Sequence, residues 1–144
     1  MEIVDFSSEE ASKLSLVPVQ RLQEWERTGF LRASIPAKRR GVSRRYSFRD
    51  VVALRVAGEL RAAGVSLQML RKVVAYLRAR DGLSATEVLA RTNLVTSGEQ
   101  VYEVAGDVTL HLPSGQRMMV HVTIPLDRVV REVQRQARAL RRAA

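Results

Sequence analysis

The apolar residues of this chain change period close to residue 100 and change back near residue 126, and those changes limit the folds open to it. Outside that stretch apolar positions recur every three or four residues, as on one face of a helix; within it they alternate, as on one face of a strand. The helical part has readable starts. Ser7 with Glu10, Ser47 with Asp50 and Ser84 with Glu87 each have capping-box spacing, in which the two residues satisfy each other's backbone N–H groups. Ser66 caps a further helix, and Pro18 suits the first turn of another. The stops are glycines: Gly29 after a helix running to about Arg27, Gly64 after the helix that Ser47 opens, and Gly82 after Asp81.

Within these bounds the inward faces can be named. Ala11 and Leu14 serve the first helix, and Val19, Leu22 and Trp25 the second. Val52, Val56, Leu60 and Ala63, widened by Phe48, Val51 and Leu54, serve the third; Leu67, Leu70, Val73, Val74 and Leu77 serve the fourth. A short fifth helix runs from Ser84 to about Arg91. Val101 to Val104 then reads as a strand. Val108, Leu110 and Leu112 alternate with polar residues, as do Met118, Val120, Val122 and Ile124. Leu112-Pro113-Ser114-Gly115-Gln116 has the chemistry of a type I turn followed by a bulge, which pairs Leu110 with Met118 and gathers the apolar residues on one face. Leu126, Val130, Val133, Ala137, Leu140 and Ala144 follow at spacings of four and three, a heptad seam that needs a cover. A second copy of the chain is the expected cover, with Val130, Val133, Ala137 and Leu140 as dimerisation residues; packing within one chain is the competing arrangement. The expected fold is α+β: a mainly helical unit over residues 1–82, then a strand-plus-helix module over 83–144 that holds a small antiparallel β-hairpin and a long amphipathic helix.

Charge narrows the function. The net charge is +9, which favours an anionic partner. Its first-half excess is concentrated: Arg32, Lys38, Arg39, Arg40, Arg44, Arg45 and Arg49 lie in one stretch without an acid, while the rest of residues 1–83 balances nine bases against nine acids. Pro36 and Gly41 make that stretch a loop or hairpin. It follows two short helices joined by a tight turn at Ser15 to Val17, a helix-turn-helix pattern. A basic loop beside such a pair suits a phosphate backbone, because each neutralised phosphate releases condensed counterions.

At this point the residues resemble a known family. Ala11, Leu14, Val17, Leu22, Trp25-Glu26-Arg27-Thr28-Gly29-Phe30-Leu31, Arg44-Arg45-Tyr46 and Gly64-Val65-Ser66-Leu67 resemble the winged helix-turn-helix domain of MerR-type regulators, over about Phe6 to Leu77. The resemblance implies double-stranded DNA as partner, a second helix in the major groove, a wing on the backbone and a homodimer on a two-fold symmetric site. It implies Pro18, Gln20, Arg21, Gln23, Arg39, Arg40, Arg44, Arg45 and Tyr46 as the DNA-binding set, with Gln20, Arg21 and Gln23 on base edges. Gln23-Glu24 stands where the family often has Arg-Tyr, and Glu24 near DNA is repelled unless it accepts from a cytosine amine or faces away. From Asn93 onward the chain departs from the family and is faintly similar to a C-terminal module of some helix-turn-helix antitoxins.

Other chemistries find little support. There is no cysteine, which removes disulfides and thiolate metal sites. His111 and His121 stand two pair-rows apart in the expected hairpin, about 10 to 15 Å, too far for one metal. Neither a nucleophile motif nor a phosphate loop is present. The sequence therefore predicts a DNA-binding transcription regulator rather than an enzyme, without cofactor or metal. The N-terminus does not read as a signal peptide and no apolar run is membrane-spanning, so a cytoplasmic, nucleoid-associated location is expected. The alternatives are an antitoxin-like autoregulator whose C-terminal module binds a partner protein, and a nucleoid or segregation factor. The C-terminal arginines allow three roles: a solvated helix side, a second DNA contact or a site for an acidic partner.

Overall fold

The computed structural model describes the backbone of residues 5–42, 44–97, 100–105, 108–112, 122–124 and 126–143, and the side chains of residues 5–42, 44–94 and 126–143. Helix α1 (Ser8–Ser15) starts at a closed capping box: the Ser7 amide donates to Glu10 at 2.9 Å and the Glu10 amide to Ser7 Oγ at 3.2 Å. The chain then turns through Leu16, at φ 63°, whose amide donates to the Ser12 carbonyl. A left-handed leucine costs about 1–2 kcal/mol. Two bonds hold the turn around it, Ser12 Oγ donating to the Val17 carbonyl at 2.6 Å and the Val17 amide donating to Ser15 Oγ at 3.2 Å. Helix α2 (Val19–Thr28) follows Pro18 and ends at Gly29, which takes φ 79°.

Helix α3 (Phe48–Ala62) is the axis of the molecule. Val51 to Ala57 are all buried, so helices cover it on every side. A side chain at Gly58 would meet the Ser15 carbonyl at 3.0 Å and Val17 at 3.2 Å, so glycine lets the helix-turn-helix corner lie against α3. Helix α4 (Leu67–Asp81) is capped by Ser66 and α5 (Ala85–Arg91) by Ser84. Helix α6 (Leu126–Ala143) returns to lie against α1 and α3. Ala63 does not extend the α3 stripe as expected; it is the exposed C-cap.

The expected α+β fold, a mainly helical unit followed by a small antiparallel β-hairpin and a long helix, is overturned. The protein is helical: six helices build its body, and the described core comes from those helices and the loops between them, apart from Phe6 and Leu94. The strands β1 (Leu94–Ser97), β2 (Gln100–Ala105), β3 (Val108–Leu112) and β4 (Val122–Ile124) form a short backbone ladder in the order β3-β2-β1-β4. Val122 and Ile124 do not run on beside β3. They pair with Thr96 and Leu94 of β1, at the edge away from β3, while Leu110 pairs with Glu103 of β2. Alternation marks a residue as extended without naming its partner, and the partner found here, β1, has no alternating signature of its own. Pro113 to Gln116, Met118 and His121 lie outside the described residues.

The heptad seam also finds another cover. Val133 and Ala137 are buried within the single chain, as is Val129, while Leu126, Val130 and Leu140 are half-buried against the same core. Val133 and Ala137 are thus not presented to a second copy. An ion network locks the helix in place. Arg55, buried in the middle of α3, donates to Glu132 at 2.7 Å, to Glu59 at 3.1 Å, to Gln136 at 3.2 Å and to the Leu14 carbonyl at 3.0 Å. Arg128 bridges the same two carboxylates, at 2.7 Å to Glu59 and 2.9 Å to Glu132. Arg128, then Arg55 and Arg135, hold the Glu132 carboxyl below the usual carboxylate range.

Candidate nucleic-acid interface

The basic stretch folds as a two-stranded ribbon that projects from the helical body. Ile35 and Arg45 exchange both backbone bonds, at 3.1 and 3.0 Å, and Phe6 and Tyr46 do the same at 2.8 and 2.9 Å. The tip turns at Arg39 to Val42, with the Val42 amide on the Arg39 carbonyl and Gly41 at φ 83°.

Buried and half-buried carboxylates fix the root of this ribbon. Asp50 Oδ2 accepts from the Ser34 amide at 2.8 Å, the Ser34 hydroxyl at 2.6 Å and the Ser47 amide at 2.8 Å. Its capping-box role was legible in the sequence; its hold on Ser34, sixteen residues back, was not. Asp50 Oδ1 and Trp25 Nε1 are buried without a partner among the described residues. Glu26, at the end of α2, accepts from the Ala33 amide at 2.8 Å and from Arg32 at 3.2 Å, with Arg44 at 3.8 Å. Arg44 also donates to the Ala33 carbonyl at 2.9 Å. Arg45 pairs with Asp5 at 3.1 Å and Glu10 at 3.8 Å.

The sequence-derived residues therefore separate. Arg39, Arg40 and Lys38 are exposed at the tip with no ion-pair partner among the described residues. Arg44 and Arg45 tie the ribbon to the body, with 42% and 35% of each side chain still exposed. Tyr46 is in the core, 4% exposed. Burial, then the charges of Glu26 and Asp50, push its hydroxyl up to about 12, so it stays neutral at physiological pH. On α2, Gln20 and Gln23 are exposed, as is Pro18 ahead of them, and Arg21 is half-buried with its guanidinium on Glu24 at 3.2 Å. Glu24, flagged as a repulsive group, is thus neutralised by its neighbour. Trp25 packs inside, edge-on to Phe30 with ring centroids 5.4 Å apart.

Among the described residues no group of three or more His, Cys, Asp or Glu side chains could hold a metal, and no helix is long and apolar enough to cross a membrane. The His111 and His121 side chains lie outside the description.

Two short helices around a left-handed turn, packed on a central third helix, define a helix-turn-helix protein. The family described as "MerR HTH family regulatory protein" matches residues 6–77, and the chain belongs to it. It is also similar to proteins from Mycobacterium bovis and Mycobacterium tuberculosis, each described as an uncharacterized HTH-type transcriptional regulator. Identity is 32% over 118 residues, covering 80% of this chain and 51% of each relative. The chain thus spans about half the length of the curated relatives it matches.

Proposed function

We propose that the protein is a sequence-specific double-stranded DNA-binding regulator of transcription, acting as a homodimer, with α2 in the major groove and the ribbon as a wing on the phosphate backbone. The observation that carries this reading is the combination of an exposed polar edge on α2, Gln20 and Gln23, with three bases at the ribbon tip, Lys38, Arg39 and Arg40, that have no ion-pair partner among the described residues. Glutamine can address adenine through two hydrogen bonds, and unpaired bases supply the sequence-independent term. Membership of a helix-turn-helix regulatory family supports it. A two-fold dimer matches the half-site geometry of such readers, through a surface other than the one Val133 and Ala137 occupy.

Salt titration of binding to duplex DNA tests the wing. Replacing Arg39 and Arg40 together by alanine is expected to weaken binding about equally on all sequences and to lower the slope of log affinity against log salt by about two. An unchanged slope and affinity would remove the wing tip from the interface.

A further inference from the structure

Helix α6 carries a second basic surface, distinct from the wing. Its arginines divide by role. Arg128 and Arg141 face carboxylates of the body: Arg128 bridges Glu59 and Glu132, and Arg141 reaches Glu10 at 2.9 Å and the Asp5 carbonyl while stacking over Phe6 at 5.0 Å. Arg131, Arg135, Arg138 and Arg142 are exposed and make no hydrogen bond or salt bridge among the described residues. Their spacing of four, three and four places them in one narrow stripe, opposite the buried Val133 and Ala137. Arg135 adds only its longer-range field at Glu132. The other exposed residues of this side from Arg131 on are Gln134, Ala139 and Ala143; the one nearby acid, Asp127, lies a turn before the stripe begins.

A solvated helix face ordinarily mixes both signs, because like charges three or four residues apart destabilise a helix by a few tenths of a kcal/mol per pair. Here Arg131/Arg135, Arg135/Arg138 and Arg138/Arg142 all repel. A polyanion laid along the stripe relieves that repulsion. The position of α6 selects which polyanion. Arg141 of α6 and Arg45 of the ribbon share Glu10 and the Asp5 segment, so the C-terminal end of the stripe stands beside the root of the wing. A duplex that lies on the ribbon and continues past its root would reach the stripe. From Arg131 to Arg142 the helix rises about 16 Å, the axial length of about five base pairs.

We infer that Arg131, Arg135, Arg138 and Arg142 form a second phosphate-contacting surface that engages duplex DNA flanking the segment held by α2 and the wing. This inference rests on the DNA-binding reading above. The test compares wild type, the fourfold variant Arg131→Gln/Arg135→Gln/Arg138→Gln/Arg142→Gln and the wing variant Arg39→Ala/Arg40→Ala on short and long random-sequence duplexes of about one and three helical turns. Glutamine keeps helix propensity, and circular dichroism verifies the fold of each variant. On the long duplex the fourfold variant is expected to lose a salt slope of about three to four, and on the short duplex much less. Equal slopes and affinities for wild type and the fourfold variant on both duplexes overturn the inference, and leave the stripe to an acidic protein partner or to solvent. If the wing variant alone loses binding, the DNA-binding reading stands and the stripe fails. If wild type binds neither duplex, both fail.

Discussion

The ribbon and the last helix are the two arginine-rich regions of this protein, and they place their arginines by the same rule on different scaffolds. In each, some arginines are bound by carboxylates of the body and others face outward unpaired. In the ribbon the bound ones are Arg32, Arg44 and Arg45, and the unpaired bases gather at a turn built on Gly41. In α6 the bound ones are Arg128 and Arg141, and the unpaired ones line a straight helix. The contrast separates charge content from charge available to a ligand. Three of the seven bases in the stretch that dominates the N-terminal sequence hold the ribbon in place instead of reaching outward. A helix whose charge looks like ordinary solvated decoration carries four arginines without a partner among the described residues, against three such bases at the ribbon tip.

The sharpest way to break this comparison is to remove an arginine that is wholly structural. Arg55→Ala leaves the half-buried Glu59 and Glu132 with only Arg128 to answer them and the Leu14 carbonyl without its donor, and is expected to destabilise the fold by about 2–3 kcal/mol. Urea denaturation checks it; a change below about 1 kcal/mol would show that the network is a passive surface pairing. An arginine proposed for recognition should behave differently. Arg21→Ala is expected to relax preference at one operator position by about 1–3 kcal/mol with little loss of stability. Because Arg21 is held by Glu24, equal losses on specific and random duplexes would instead mark it as a backbone contact. The mixed case is Arg44, half-exposed yet bonded to the Ala33 carbonyl. Arg44→Ala is expected to lower the salt slope by about one and stability by no more than about 1 kcal/mol. A loss of stability with an unchanged slope would move Arg44 into the same group as Arg55.

What could be read in the sequence was what is local. Each capping box joins residues three apart, and Ser7/Glu10 and Ser47/Asp50 close as their spacing requires. The left-handed stop at Gly29 and the burial of Leu22 and Trp25 belong to the same class. The errors in the C-terminal half are questions of partner. Alternation in Val108 to Leu112 and in Met118 to Ile124 gave no means of seeing that Ile124 would lie beside Leu94. The heptad spacing of α6 showed that a face needed covering, and both a second chain and α1 with α3 satisfy that requirement. One signal was available and unused. A lone arginine amid Val51, Val52, Ala53, Leu54, Val56 and Ala57 must be either misplaced or paired, and Glu59 one turn later together with Glu132 was the pair to seek.

The docking of α6 bears on how such regulators can be recombined. The family match stops at residue 77, which suggests a portable DNA-reading cassette with interchangeable tails. In this molecule the cassette is not self-sufficient. Val129, Val133 and Ala137 complete the packing around α1 and α3, and Glu132 supplies a counter-ion that Arg55 needs. A chimaera joined after Gly82 would inherit a buried arginine with Glu59 but without Glu132, and an open apolar side on its central helix. A tail can replace this one only if it brings a helix with small apolar residues at the right spacing and a carboxylate aimed at Arg55. The two halves are therefore coupled through a handful of packed and ion-paired residues on the inner side of α6.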